Sequence, residues 1–156
     1  MLPGESERVR RENAEKVIEI TKWAFVHAMS IIEISVKDAV RSIDPNILKS
    51  IETRKSGSRK RVFIYLRDVV KELENRESLS NVMYDNWVTL IIIRNLVVHN
   101  NAIADSDMVL HIDSVEIRLR AGQMIRGKLD FFIKLIDYAV ESYRRTLEAL
   151  LSSKSR

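Results

Sequence analysis

The fold class of the chain is set by residues 15–37, which read EKVIEITKWAFVHAMSIIEISVK. Polar side chains recur there at steps of three and four, opposite an apolar stripe of Val17, Ile20, Ala24, Ala28 and Ile31. This period is typical of an amphipathic helix and predicts one over residues 6–42. Between Trp23 and Ile34 the apolar positions cover most of the circumference, which indicates a central helix or a subunit contact. Asp44-Pro45 ends the helix, because proline disfavours helical geometry in the residue before it.

The remaining sequence adds further helices and one short strand. We predict a short helix over residues 46–52, a long one over residues 62–75, a third that begins at Ser78 or Ser80 and ends near residues 99–101, and a last one over residues 125–151. Residues 115–120 alternate apolar and charged side chains as strands do, and residues 121–123 can form the turn of a hairpin. The expected fold is all-α: four long helices in an up-down bundle, with a small β-hairpin inserted before the last helix.

Composition narrows the classes of protein to consider. A chain of 156 residues, 46% of them apolar, corresponds to one domain with its own core, here residues 1–156 with a frayed tail at residues 152–156. The absence of cysteine excludes disulfides, thiolate zinc sites and cysteine nucleophiles. No signal peptide precedes the first helix and no apolar run is long enough to span a membrane, so we expect a soluble, cytoplasmic protein. The net charge of +4 permits an anionic partner.

One charged side chain interrupts the apolar face of the third predicted helix. At about 100° per residue, five apolar side chains lie within about 60° of Arg94: Trp87, Leu90, Ile91, Val97 and Val98. We therefore place Arg94 at the centre of the apolar stripe. A guanidinium cannot escape burial by losing its proton, so it needs a carboxylate, a set of carbonyls or an anionic ligand.

Arg94, Asn95 and His99 together form a cluster with a chemical use. The arginine can hold a phosphate, the histidine can move a proton near neutral pH, and the asparagine can orient either group. Asn100 and Asn101 add donors and acceptors just beyond the helix. The alternative is structural: Arg94 pairs with an acid on a neighbouring helix, and His99 merely interacts with the helix dipole.

The segment from Ile91 to Asp105, IIIRNLVVHNNAIAD, resembles the R-x4-6-H signature of the HEPN superfamily. Four residues separate Arg94 from His99, and Asn95 is the usual polar residue after the arginine. The motif closes the third long helix of an all-α chain, as it does in that family. The resemblance covers most of the chain by architecture and about residues 87–105 by motif.

The resemblance implies a metal-independent endoribonuclease that needs no cofactor. His99 would assist the attack of the 2′-OH on the adjacent phosphate, Arg94 would hold that phosphate, and Asn95 would position either of them. The products would be a 2′,3′-cyclic phosphate and a free 5′-OH. Family members act as homodimers with a shared cleft, and many are toxins or defence factors beside a nucleotidyltransferase-type antitoxin partner.

Two further possibilities stay open. The loop over residues 54–61 holds five basic side chains that can contact RNA phosphates or form a solvated surface: Arg54, Lys55, Arg59, Lys60 and Arg61. The whole chain can also be a non-catalytic helical module that binds RNA, a nucleotide or a partner protein. The acidic residues and His111 in the segment 105–113 match no metal-binding spacing, so we expect no metal site.

Overall fold

The computed structural model describes residues 5–57, 62–125 and 127–154. Its elements, in chain order, are α1 (Glu5–Ile43), α2 (Pro45–Lys55), α3 (Leu66–Asn75), α4 (Asn81–Asn100), β1 (Met108–Ile112), β2 (Val115–Leu119) and α5 (Phe131–Lys154). The mostly helical class, with a small antiparallel hairpin before the last helix, is confirmed. Three helices are long and two are short, so the arrangement differs from the four long helices that we expected.

Local sequence explains where several helices begin and end. The Asp44 carboxylate accepts a hydrogen bond from the Asn46 amide at 3.1 Å, and Pro45 occupies the first turn of α2. The predicted end of the first helix at Asp44-Pro45 is thus confirmed. Ser80 caps α4 by accepting from the Met83 amide at 3.3 Å. At the other end of α4, Asn101 adopts the left-handed backbone with φ of 50°, which stops the helix.

The predicted helix over residues 62–75 is wrong in its first turn, because α3 begins only at Leu66. Lysines from two other helices bind the backbone before it: Lys37 Nζ donates to the Ile64 carbonyl at 3.0 Å, and Lys55 Nζ to the Phe63 carbonyl at 3.1 Å. These bonds occupy carbonyls that a helix would use internally, so the segment stays non-helical up to Tyr65.

The hairpin turns at a different place from the predicted one. β1 pairs with β2 in antiparallel register through a two-residue turn at Asp113-Ser114, where Asp113 has a φ of 48°. The predicted turn at residues 121–123 does exist, with Gly122 at a φ of 74°, but it lies after β2. It leads to an isolated bridge between Ile103 and Met124. The Ile125 amide then donates to the Ala102 carbonyl at 2.7 Å, which keeps this segment out of α5.

α5 therefore begins at Phe131 rather than at residue 125, and it continues through Lys154. The part of the predicted frayed tail that the structure describes is thus helical, while residues 155 and 156 lie outside the described residues. The buried face of α5 includes small polar side chains that we did not expect there. Its buried residues are Phe132, Leu135, Ala139, Ser142, Thr146 and Leu150.

α1 buries a different stripe from the predicted one. The side chains that face the core are Phe25, Met29, Ile32, Val36 and Val40. Val17, Ile20 and Ile31, which we expected inside, are exposed, and so is His27, which we expected in the core. An apolar pattern that extends around most of a helix does not indicate which side the rest of the domain covers, and here tertiary packing selects one of two apolar faces.

Glu72 ties α2 to α3 from a buried position. It accepts from Ser50 Oγ at 3.0 Å and from Arg76 Nε at 2.9 Å, and it also pairs with Arg54. Burial disfavours the charged form of Glu72, but the hydrogen bonds from Arg76, Ser50 and Arg54 outweigh it, so the pKa lies below its ordinary value of 4.5. A carboxylate with a lowered folded-state pKa stabilises the fold above its unfolded pKa, and this contribution is lost as the pH falls through the folded value.

Glu72→Gln is therefore expected to lower the free energy of unfolding at pH 7 by about 2 kcal/mol, because charge-assisted hydrogen bonds are replaced by neutral ones. Urea denaturation at a series of pH values measures the effect. The difference from the unsubstituted protein should shrink below pH 4.5, where the unfolded carboxyl becomes protonated. Glu12→Gln, which removes an exposed pair with Arg8, is the control and should change little. Equal losses in both variants would contradict the prediction.

Among the helices of the described residues, none combines the length and the apolar character that a bilayer crossing requires.

Candidate functional site

A cavity of about 340 Å³ opens between α1, the start of α3 and the second half of α4. Its lining residues are Met29, Glu33, Tyr65, Leu66, Arg67, Asp68, Ile91, Arg94, Asn95 and His99. The three residues of the predicted cluster, Arg94, Asn95 and His99, thus border one space. They do so because positions 94, 95 and 99 of α4 point into the gap left where the chain before α3 stays non-helical.

Arg94 is only partly buried, which corrects its predicted place at the centre of the apolar stripe. The buried face of α4 is centred nearer Leu90 and Ile93, whereas Val98 is exposed. Residues 90–93 are all apolar, so the helix has no sharp apolar edge and the position of its centre could not be read from spacing. Arg94 lies at the margin of that face and lines the cavity.

Within the described residues, Arg94 has no acidic partner, and its single side-chain hydrogen bond runs from Nη1 to Asn95 Oδ1 at 3.1 Å. The neighbouring Asn95 therefore orients the guanidinium without neutralising it. Arg67, an exposed residue in the first turn of α3, likewise forms no ion pair with any side chain that the structure describes. Two unpaired guanidinium groups consequently border the same cavity.

Both acids that line the cavity are already engaged by other groups. Glu33 Oε1 lies 2.8 Å from Lys37 Nζ and accepts the Leu66 amide at 3.2 Å. Asp68 forms an ion pair with Lys55 and accepts the Tyr65 amide at 2.8 Å. Since these two acids have their own cations, and the two arginines have no acid partner among the residues that the structure describes, the cavity has the electrostatic character of an anion site.

His99 lies in the last turn of α4 with its side chain exposed, and no hydrogen bond joins its ring to the part of the chain that the structure describes. The backbone that carries His99 is held by hydrogen bonds just beyond it. The amides of Asn101 and Ala102, both with positive φ, donate to the Leu96 carbonyl, at 2.9 Å for Ala102. An imidazole held in this way can accept or donate a proton at whatever occupies the cavity.

The other predicted site residues lie elsewhere. Asn100 and Asn101 are exposed beyond His99 but do not line the cavity. Arg54 and Lys55 lie in the last turn of α2 rather than in the predicted loop, and they pair with Glu72 and Asp68 respectively. Arg59, Lys60 and Arg61 lie outside the described residues.

Sequence reasoning missed Tyr65 and Arg67, because the expected helix over residues 62–75 placed them among ordinary helical positions. The usable signal was Asp68, three residues after Tyr65, which can cap a helix that starts there.

Comparison of the chain with models of protein families, with curated proteins and with solved structures finds no significant match.

Proposed function

We propose that the protein is a metal-independent endoribonuclease of the HEPN type. The observation that supports this most is that Arg94, Asn95 and His99 line one cavity in which the arginine has no acid partner among the described residues. The resemblance of residues 91–105 to the HEPN signature supplies the reaction. We extend the proposal to a HEPN-like helical arrangement, although α3 is shorter than that arrangement suggested.

RNA carries its own nucleophile, so the proposed reaction needs few groups. The 2′-OH loses its proton and its oxygen bonds to the adjacent phosphorus, while the bond from phosphorus to the 5′-oxygen breaks and that oxygen gains a proton. His99 transfers protons in this sequence, and Arg94 binds the non-bridging oxygens, where negative charge grows. Asn95 keeps the guanidinium directed at the phosphate through its bond to Nη1.

Incubation of the purified protein with RNA in excess EDTA tests the proposal. We expect fragments that end in 2′,3′-cyclic phosphate and begin with a free 5′-OH. The matched control is the same oligonucleotide with 2′-deoxyribose at the cleaved position, which lacks the nucleophile and should stay intact. Intact RNA that is nevertheless bound would instead support the second candidate, a non-catalytic module that binds RNA, a nucleotide or a partner protein.

One feature bears on the nuclease proposal: among the described lining residues the cavity holds a single imidazole, and its two carboxylates are paired with lysines. Apart from His99, the described lining offers only the Tyr65 hydroxyl for proton transfer, and the reaction needs both a base and an acid, so a histidine from a second copy would complete the pair. We therefore propose that the active form is a homodimer, as the resemblance implies.

The outward side of α1 offers a surface for a second copy. Opposite the core stripe lies a row of exposed apolar side chains, here called the outer stripe: Val17, Ile20, Trp23, Ile31 and Ile34, with exposures of 42%, 69%, 45%, 65% and 61%. From Val17 to Ile34 it extends about 26 Å along the helix. Contiguous apolar surface of this extent marks an interaction site. Glu33 lines the cavity and lies about 100° around α1 from Ile34, so the cavity and the outer stripe occupy different sides of the helix.

The order of residues along the outer stripe is nearly symmetric about His27. Ile20 and Ile34 lie seven residues to either side of it, and Trp23 and Ile31 lie four. Lys16 and Asp38, of opposite charge, lie eleven residues to either side. Two copies of α1 that cross antiparallel on a two-fold axis at His27 would therefore match apolar with apolar and Lys16 with Asp38. This complementarity favours a second copy of the chain as the occupant.

Because the chain has no cysteine, single cysteines report the symmetry directly. We expect His27→Cys alone to give a cross-linked dimer with a short bismaleimide. Ile20→Cys and Ile34→Cys should cross-link efficiently only when the two variants are mixed. Val109→Cys, on an exposed hairpin position, is the control and should stay monomeric in the gel. Cross-linking of His27→Cys no better than the control, or a monomer at micromolar concentration by sedimentation, would contradict the dimer.

From the resemblance alone we further propose a toxin or defence role and a nucleotidyltransferase-type antitoxin as partner. Expression of the chain should then arrest growth, and co-expression of such a partner should relieve the arrest. Growth that is unaffected by an RNA-cleaving form of the protein would contradict this role.

A further inference from the structure

Tyr65 presents an exposed aromatic ring at the cavity on a fixed backbone. Its side chain is 60% exposed and lines the same space as Arg94 and His99. Its amide donates to Asp68 Oδ2 at 2.8 Å, and its carbonyl accepts the Asp68 and Val69 amides at 3.0 and 3.3 Å. The residue thus belongs to the framework of α3, while its ring contributes little to the core. A large exposed ring on a rigid mount is the usual form of a contact surface for a flat ligand.

Cations flank this ring. Lys55 Nζ lies over one face of the ring, 5.4 Å from its centroid, while the residue as a whole is 60% exposed. Arg67 follows two residues later and lines the same cavity without an acid partner in the described part of the chain. The exposed ring of Tyr65 therefore lines the same cavity as two guanidinium groups that have no acid partner among the described residues, and a nucleobase with its phosphates needs these two kinds of contact.

We propose that Tyr65 is the stacking platform for one nucleobase, that Arg67 holds the phosphate on one side of that nucleotide, and that Arg94 holds the phosphate on the other. This inference rests on the proposed function for the identity of the ligand as RNA. It commits the site to unpaired nucleotides, because a base inside a duplex is stacked on both faces and cannot lie on the ring.

The test is binding of a fluorescent single-stranded oligonucleotide with 2′-O-methyl ribose throughout, which cannot be cleaved, measured by anisotropy with the full chain at fixed salt. We expect Tyr65→Ala to raise the dissociation constant roughly ten-fold or more and Tyr65→Phe to preserve it, since stacking needs the ring and not the hydroxyl. Phe63→Ala is the matched control: Phe63 is as exposed, at 62%, and lies two residues away, but does not line the cavity.

Two further measurements test the base contact of Tyr65 and the phosphate contact of Arg67 separately. Replacing the base that stacks on Tyr65 by an abasic site should weaken binding to the unsubstituted protein. With this abasic oligonucleotide, Tyr65→Ala should bind as well as the unsubstituted protein, because the stacking contact is already lost. Arg67→Gln should reduce the slope of the logarithm of affinity against the logarithm of salt by about 0.7, the value for one phosphate contact on a single strand.

The outcomes also distinguish this inference from the nuclease proposal. Coupling between Tyr65 and one base, without cleavage of ordinary RNA, would support the platform and overturn the nuclease. Cleavage of RNA in EDTA, combined with equal oligonucleotide binding by Tyr65→Ala and Phe63→Ala, would support the nuclease and overturn the platform. Duplex RNA that competes as well as the single strand would also overturn the platform.

Discussion

Replacement of His99 by alanine is expected to lower the rate of RNA cleavage roughly 10²–10⁴-fold, because the proposed reaction loses the side chain that moves protons. The measurement is single-turnover cleavage in EDTA with the protein in excess, so that substrate binding and product release do not mask the chemical step. The fold should be unaffected, since the His99 ring makes no hydrogen bond within the described residues and is exposed. His111→Ala, an exposed histidine in β1, is the matched control and should cleave normally.

Arg94 separates the catalytic interpretation from the structural one. If Arg94 holds the phosphate, Arg94→Ala loses cleavage to a similar extent while its free energy of unfolding changes by no more than about 1 kcal/mol, because no acid in the described part of the chain is left unpaired. Arg94→Lys should recover only part of the rate, since an ammonium cannot make the bidentate contact. A large loss of stability in Arg94→Ala, or full cleavage by His99→Ala, would contradict the proposed roles.

The largest effect on stability is expected for Trp87→Ala, which should lower the free energy of unfolding by about 3–5 kcal/mol. Trp87 is fully buried in α4, and its Nε1–H donates to Thr146 Oγ1 of α5 at 3.1 Å. Truncation leaves a cavity in the core and removes a partner from a buried hydroxyl, although Thr146 still donates to the Ser142 carbonyl at 2.8 Å. Urea denaturation followed by circular dichroism measures the change.

The chain provides its own control, because its other tryptophan is Trp23 on the outer stripe, 45% exposed. Trp23→Ala should change the stability of the monomer by no more than about 0.5 kcal/mol. It should instead weaken the homodimer, so both variants are compared at a concentration at which sedimentation shows monomer. Equal destabilisation by the two substitutions would contradict the placement of Trp87 in the core and Trp23 outside it.

Helix positions were predictable from sequence wherever a local signal decided them. Asp44-Pro45 separates α1 from α2, Ser80 caps α4 and Asn101 ends it, and each acts through its own backbone or side chain. The start of α3 was not predictable in the same way. It depends on Lys37 and Lys55, which lie on other helices and bind the carbonyls of residues 63 and 64 only after the chain has folded.

The buried faces were harder to predict than the helices. α1 carries two apolar stripes, and periodicity gives both the same weight, so the outer stripe was mistaken for the core. The same ambiguity in α4 misplaced Arg94 by part of a turn. The grouping of residues 94, 95 and 99 in one site could still be predicted from sequence, because the three lie near the end of one helix. Tyr65 and Arg67 reach the cavity only through tertiary structure.

The stop that follows α4 has a consequence for heat inactivation. Helix ends ordinarily fray well below the melting temperature, but Asn101 and Ala102 bend the chain back, and the Ala102 methyl is buried. The Ala102 carbonyl is also tied to the Ile125 amide at 2.7 Å. Unwinding the turn that carries His99 would have to pull this alanine out of the core. Heating should therefore disorder the imidazole and melt the whole domain at one common midpoint, rather than in two separate steps.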